Sequence, residues 1–155
     1  MKSNRFKHLN IPLFLLFSLL FVLCAGIRLR AQQGDTNSVE SIKTRAKKGG
    51  AEAQCKLGWR YENGQGAPQD YVKAVNWFRK AAEQGNAMAE FKPGASYEFG
   101  NGVTKDYTKA VMWYRKAAEQ GMASAQYFLG GCYRDGKGVG TNIVEAVTWF
   151  RKAAE

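Results

Sequence analysis

From Val39 onward, apolar residues recur at spacings of three and four, the interval that lines up side chains on one face of an α-helix. Val39, Ile42 and Ala46 form the first such stripe, and Lys47-Lys48-Gly49 predicts its end, with cations in the last turn and then a glycine. Two further helices follow as a pair. The first is predicted from about Ala51 to Tyr61, with Ala53, Leu57 and Tyr61 four apart. The turn Asn63-Gly64-Gln65-Gly66 ends it, because glycine adopts backbone angles that other residues resist. Asp70 stands as N-cap of the second helix, which carries Tyr71, Ala74, Val75, Phe78, Ala81 and Ala82 and stops at Gly85.

This pair is used three times. Ala-Val-x-Trp-[Phe/Tyr]-Arg-Lys-Ala-Ala-Glu occurs at Ala74–Glu83, Ala110–Glu119 and Ala146–Glu155, and Trp77, Trp113 and Trp149 are 36 residues apart. The turns recur as Gly100-Asn101-Gly102 and Gly136-Lys137-Gly138, and the caps as Asp106 and Asn142. Small residues at Ala53 and Gly58, Ala89 and Gly94, and Ala125 and Gly130 let neighbouring helices approach closely. An apolar stripe this wide is not buried by one hairpin, so the repeats must stack to make a core. The pattern predicts an all-α protein, an α/α solenoid of about three 36-residue helical hairpins with an N-terminal capping helix. Residues 1–31 form a leader, 32–50 a linker and the capping helix, and 51–86, 87–122 and 123–155 the repeats, the third incomplete. In the capping helix, Ile42 matches Phe78, Ala46 matches Ala82, and Ser41 stands in place of Trp77.

Two departures break the pattern. Pro93 occupies the interior position of Leu57 and Leu129, where it removes a hydrogen bond and costs roughly 3 kcal/mol, so a kinked or broken helix is expected there. Glu155 comes before the Gln-Gly that closes the other copies, which leaves the last apolar face open on this sequence. Truncation of a longer array, or self-association through that face, is the expected reason.

Ala53, Leu57-Gly58, Tyr61, Gly64-x-Gly66, Asp70, Ala74, Trp77, Ala81-Ala82 and Gly85, with their equivalents one and two periods on, closely resemble the Sel-1-like repeat family, related to the tetratricopeptide repeats. The resemblance covers Ala51 to Glu155. It implies a right-handed superhelix and an adaptor role, in signalling assemblies or, for exported bacterial members, in envelope regulation and host contact. Some exported relatives carry a disulfide within each repeat, a pairing this sequence lacks.

The first 31 residues differ in character from the rest. Lys2, Arg5 and Lys7 precede an almost wholly apolar run from Ile11 to Ile27, closed by Arg28, which is the layout of an export signal. The uninterrupted part, Leu13 to Gly26, is short for a membrane span of about 20 residues. Cleavage after Cys24-Ala25-Gly26 or after Ala31 would leave an exported chain, periplasmic or secreted; an uncleaved anchor is the alternative. Leu23 stands where a lipid-attachment signal needs a small residue before Cys24. The formal charge of +10 falls to about +5 once the five basic residues of this segment are set aside, which aids solubility and does not point to nucleic acid.

Little catalytic chemistry is available. The single histidine, His8, lies in the leader, so the remainder has no imidazole for acid–base work or metal binding. Cys55 and Cys132 lie two repeats apart, beyond disulfide reach within one chain, and are expected as free thiols or one intermolecular bond. Gly131-x-x-x-x-Gly136-Lys137 resembles a phosphate loop, but Gly138 replaces the required Ser/Thr and a helix precedes it. Neither Ser-x-x-Lys nor Lys-Thr-Gly occurs. No cofactor or metal is implied, and an enzyme is not expected; a cell-envelope enzyme and a truncated array with little function of its own are the competing readings. Trp77, Trp113 and Trp149 are predicted to be packing residues. Arg79-Lys80 and its copies are predicted to be mostly solvated partners of the helix dipole.

The candidate site is the face of the first helices turned away from Ala53, Leu57 and Tyr61. At about 100° per residue it holds Glu52, Lys56 and Trp59, then Phe91 and Lys92, then Tyr127 and Phe128. Aromatics mixed with cations suit protein recognition, so these residues are expected to hold an extended peptide or protein segment in a concave groove. The competing structural reading is that Phe91 and Tyr127 pack against the neighbouring repeat.

Overall fold

The computed structural model describes residues 38–155, so the expectations for the leader and most of the linker lie outside the described residues. Seven α-helices are described: α1 Val39–Lys47, α2 Ala51–Asn63, α3 Tyr71–Ala82, α4 Ala87–Phe99, α5 Tyr107–Glu119, α6 Ala123–Asp135 and α7 Ile143–Ala154. Each packs chiefly against its neighbours in sequence, the arrangement of a solenoid. The described residues therefore form an all-α repeat solenoid.

Local chemistry accounts for the boundaries. Asp70, Asp106 and Asn142 cap the second helices by accepting a hydrogen bond from the backbone N–H of Lys73, Lys109 and Glu145. The first helices end at Gly64, Gly100 and Gly136, each in the left-handed conformation. α2 extends two residues beyond Tyr61, reaching Asn63 before the glycine stops it. Ser38 and Asn86 cap α1 and α4 in the same way as the aspartates.

Burial follows the apolar stripe. Val75, Phe78, Ala81 and Ala82 of α3 are buried, as are Val111, Tyr114, Ala117 and Ala118 of α5. Ile42 and Ala46 are 1% exposed and pack on Ala53 and Leu57, so α1 covers the first repeat as a capping helix should. On α7 the corresponding Val147 is 42% exposed and Phe150 half-buried.

One expectation needs correction. α4 is not broken at Pro93: the helix continues from Ala87 to Phe99 with the proline inside it. Pro93 is fully buried in the position of Leu57 and Leu129, so the packing that also holds Ala89 and Gly94 in the interior overrides the local cost. The Arg-Lys pairs are mostly exposed, as expected, and they also make contacts. Arg79 is half-buried and donates to the Tyr97 hydroxyl of the next repeat, and Arg115 Nη2 donates to Tyr133 Oη at 2.7 Å. Lys80, Lys116 and Lys152 lie over the rings of Trp77, Trp113 and Trp149, 4.7, 4.9 and 4.3 Å from their centroids.

Candidate functional site

Glycine in α2 and in α4 allows the second helix of the same repeat to come close. Gly58 faces the Phe78 ring and Gly94 the Tyr114 ring, so the aromatic residues reach in towards the first helices. Between α2 and α4 the structure leaves a cavity of about 550 Å³. Phe78 of α3 and Ile42 of α1, both 1% exposed, supply its inner wall. Trp59 and Met88 border it and are 42% and 50% exposed, so they offer apolar surface at its edge.

The cavity carries cations as well. Lys56, Arg60 and Lys92 line it, and among the described residues no carboxylate does. Two glutamates stand behind the lysines. Glu52 Oε1 is 2.6 Å from Lys56 Nζ in an exposed i,i+4 pair, and the hydrogen bond to Lys56 holds the Glu52 carboxyl below its usual range. Glu62 Oε2 is 2.6 Å from Lys92 Nζ, with both side chains about a quarter exposed, and Lys92 also sits 5.7 Å from the Phe78 ring centroid. Cys55 completes the lining; burial pushes its thiol above the ordinary range while Lys92 pulls the other way.

The remaining expected site residues are placed elsewhere. Phe91 and Phe128 are half-buried and stack with Tyr114 in a three-ring cluster whose centroids are 5.4 to 5.5 Å apart. Tyr127 is 59% exposed, with its ring 5.4 Å from Phe150. Tyr127 and Phe128 border a second, smaller cavity of about 150 Å³. Cys132 and Glu98 line this cavity too, and Glu98 accepts a 2.6 Å hydrogen bond from Tyr114 Oη. Burial first, and the Glu98 charge next, push the Cys132 thiol up to about 11, so it remains protonated at neutral pH. Burial and the same glutamate raise the Tyr114 phenol far above its usual range. Lys56, Trp59 and Lys92 are thus brought together, Glu52 stands outside the cavity as a partner of Lys56, and the three aromatics belong to an adjoining cluster.

A polar clasp between repeats escaped the reading of the sequence. Gln54 Nε2 donates to the Ala46 carbonyl and Gln126 Nε2 to the Ala118 carbonyl, each at 3.1 Å and buried. Gln84 Nε2 in turn donates to Gln54 Oε1 at 2.7 Å, and Gln120 Nε2 to Glu90 Oε2 at 2.6 Å. The signal was the fourth residue of each first helix, Gln54, Glu90 and Gln126, which is polar yet adjoins the apolar stripe. Among the described residues Cys55 and Cys132 are free thiols, and no group of three or more His, Cys, Asp or Glu side chains is placed to hold a metal ion.

The period, the turn glycines and the stacked hairpins have their counterpart in known proteins. The Sel1 repeat model matches residues 51–86, 87–122 and 123–155. The chain belongs to the Sel1 repeat family. A Sel1 repeat protein from Oxalobacter formigenes is similar in structure, with a TM-score of 0.73 and 37% identity over 77% of this chain and 92% of that one. A protective antigen present in uropathogenic Escherichia coli strains, which displays an SLR fold, matches with a TM-score of 0.73 and 46% identity over 75% of this chain. The match spans only 25% of that antigen's length. Helicobacter pylori cysteine rich protein B matches with a TM-score of 0.59 and 27% identity, over 78% of this chain and 92% of that one. Comparison with curated proteins found no match. Sel1 repeats commonly serve as protein-interaction scaffolds.

Proposed function

We propose that this Sel1 repeat chain is an exported protein-interaction scaffold, not an enzyme, and that its first helices hold a peptide or protein segment. The observation that carries the reading is the cavity between α2 and α4, an apolar recess with Trp59 and Met88 exposed at its edge and cations beside them. Exposed aromatic and methionine side chains around a concave recess are the surface from which protein-binding hot spots are made. The apolar run from Ile11 to Ile27, preceded by Lys2, Arg5 and Lys7, supports export. No helix of the described residues is long and apolar enough to cross a membrane.

Affinity capture from envelope extract tests the reading, with the parent chain beside a Trp59→Ala/Met88→Ala variant whose circular dichroism and urea midpoint match the parent. Both side chains lie about half exposed at the surface and outside the buried core, so the variant is expected to fold. A protein retained by the parent and lost from the variant is the expected result. Equal retention by both would place the binding surface away from α2 and α4.

A further inference from the structure

The chemistry of the cavity between α2 and α4 selects among protein segments, and this inference rests on the binding role proposed above. Trp59 and Met88 give it exposed apolar surface and Phe78 and Ile42 close its floor, while Lys56, Arg60 and Lys92 line it with no carboxylate among the described lining residues. The volume of about 550 Å³ exceeds what one large side chain fills, leaving room for a bulky anchor together with part of its neighbours. A charged side chain driven onto the apolar wall would lose its hydration without compensation, so the part that enters must be apolar. The part that stays at the edge meets lysines.

The two lysines are not equivalent. Lys92 is held against Glu62 with both side chains about a quarter exposed, and it also lies over the Phe78 ring. Lys56 is 46% exposed, and its partner Glu52 is 79% exposed on the same helix face. A solvent-exposed i,i+4 pair contributes little, so Lys56 can exchange Glu52 for a carboxylate on an incoming segment at small cost. Lys92 with Glu62 makes a fixed side of the recess. A basic segment would instead meet like charge at Lys56, the more exposed of the two lysines, which disfavours its association.

We infer that the cavity between α2 and α4 is a docking site for an acidic peptide segment bearing a bulky apolar anchor, with the anchor against Trp59 and Met88 and a flanking carboxylate on Lys56. Cys55 lines the same cavity and is half-buried, so its thiol reports occupancy. An occupant covering it slows alkylation.

The test uses the full chain with Cys24→Ser and Cys132→Ser, leaving Cys55 as the one thiol. Three labelled peptides share a Trp-Leu-Phe centre and differ in flanks of Asp, Gln or Lys. Binding is read by fluorescence anisotropy and occupancy by the rate of Cys55 alkylation. The acidic peptide is expected to bind and to slow alkylation, and Lys56→Glu is expected to weaken it by about tenfold. Lys105→Glu makes the same change in net charge outside the cavity and is expected to leave binding unchanged. Equal binding of the three peptides, unprotected Cys55, or equal losses in the two charge variants would overturn the inference. Capture of a partner that depends on Trp59 and Met88, with no binding of the acidic peptide, would also overturn it while leaving the scaffold role in place.

Discussion

Gly102 lies against the backbone of Tyr71. A Cβ at Gly102 would overlap the Tyr71 carbonyl and stand 2.7 Å from the Val72 nitrogen, closer than real side chains come. Gly102 belongs to the turn of the second repeat, whereas Tyr71 opens α3 of the first, so the contact fixes how one repeat rests on another. The arrangement recurs one period on, where Gly138 abuts the backbone of Tyr107 and Thr108. The positive φ of these glycines satisfies the turn; the missing side chain satisfies the stacking.

Gly100 provides the control for this interpretation. It has a similar φ of 79°, but its Cβ would meet nothing nearer than 3.7 Å. Gly100→Ala therefore bears only the left-handed cost, about 1–2 kcal/mol. Gly102→Ala adds the clash with fixed backbone and is expected to cost about 3 kcal/mol or more. Urea titration of the two variants beside the parent checks the difference, and equal midpoints would show that Gly102 serves the turn alone.

A second pair of glycines gives opposite signs. A Cβ on Gly94 would stand 2.6 Å from Tyr114 Cδ1, and Tyr114 is fully buried between Phe91 and Phe128 with no room to retreat. Gly94→Ala is expected to destabilise by about 1–3 kcal/mol despite the better helix propensity of alanine. Gly131 lies in the interior of α6 with nothing within 4 Å of its Cβ position. Gly131→Ala is expected to stabilise by about 0.5–1 kcal/mol. Thermal unfolding of both variants distinguishes packing from propensity.

These contrasts mark where the sequence was legible. Asp70, Gly85 and the recurrence of Trp77 at Trp113 and Trp149 act through local chemistry and a period, so element order and core face could be read directly. Gly100 and Gly102 look alike in sequence because φ is a local property, while the approach of Tyr71 to one of them depends on the stacking angle between repeats. The candidate site divides for the same reason. Helical phase places Trp59, Lys92 and Phe128 on comparable faces, but it does not tell that Phe128 meets Phe91 and Tyr114 whereas Trp59 stays exposed. Arg79 near a helix end is equally compatible with solvent and with Tyr97, which lies 18 residues on.

Pro93 tests how far packing overrides propensity. α4 lacks the backbone donor that Leu57 and Leu129 supply in the other first helices, and all three side chains are fully buried. Pro93→Leu restores the donor and removes roughly 3 kcal/mol of helix penalty, against about 1–3 kcal/mol for fitting a larger side chain into a settled core. A net gain of about 1 kcal/mol is expected. Hydrogen exchange gives the more local reading, since the backbone amide that the variant gains at this position should exchange slowly in a continuous helix. Rapid exchange there, with no gain in stability, would mean that α4 keeps a local opening whatever residue stands in place of Pro93.

Glu90 makes the clasp between repeats sensitive to pH. It occupies the position of Gln54 and Gln126, but an ionised carboxylate has no hydrogen to give the Ala82 carbonyl, as those glutamines give Ala46 and Ala118. Burial raises the Glu90 pKa above its ordinary 4.5, with Lys116 and the hydrogen bond from Gln120 opposing. A raised folded-state pKa means that the stabilising contribution is complete below about 4.5 and is lost as pH rises through the folded value. Asp70 and Asp106 act in the other direction. Hydrogen bonds with Lys73 and Lys109 lower their pKa values, so their contribution is present above 3.8 and lost as pH falls through the folded values. Glu90→Gln leaves those two unchanged and supplies both an amide donor for Ala82 and an acceptor for Gln120, which rebuilds the arrangement around Gln54. The variant is therefore expected to exceed the parent by about 1 kcal/mol at neutral pH. The gap should narrow as pH falls towards 4.5 and the parent carboxyl takes up its proton. Urea unfolding of both proteins from pH 7 to pH 4 measures the gap directly; a difference independent of pH would show that the Glu90 charge has no part in it.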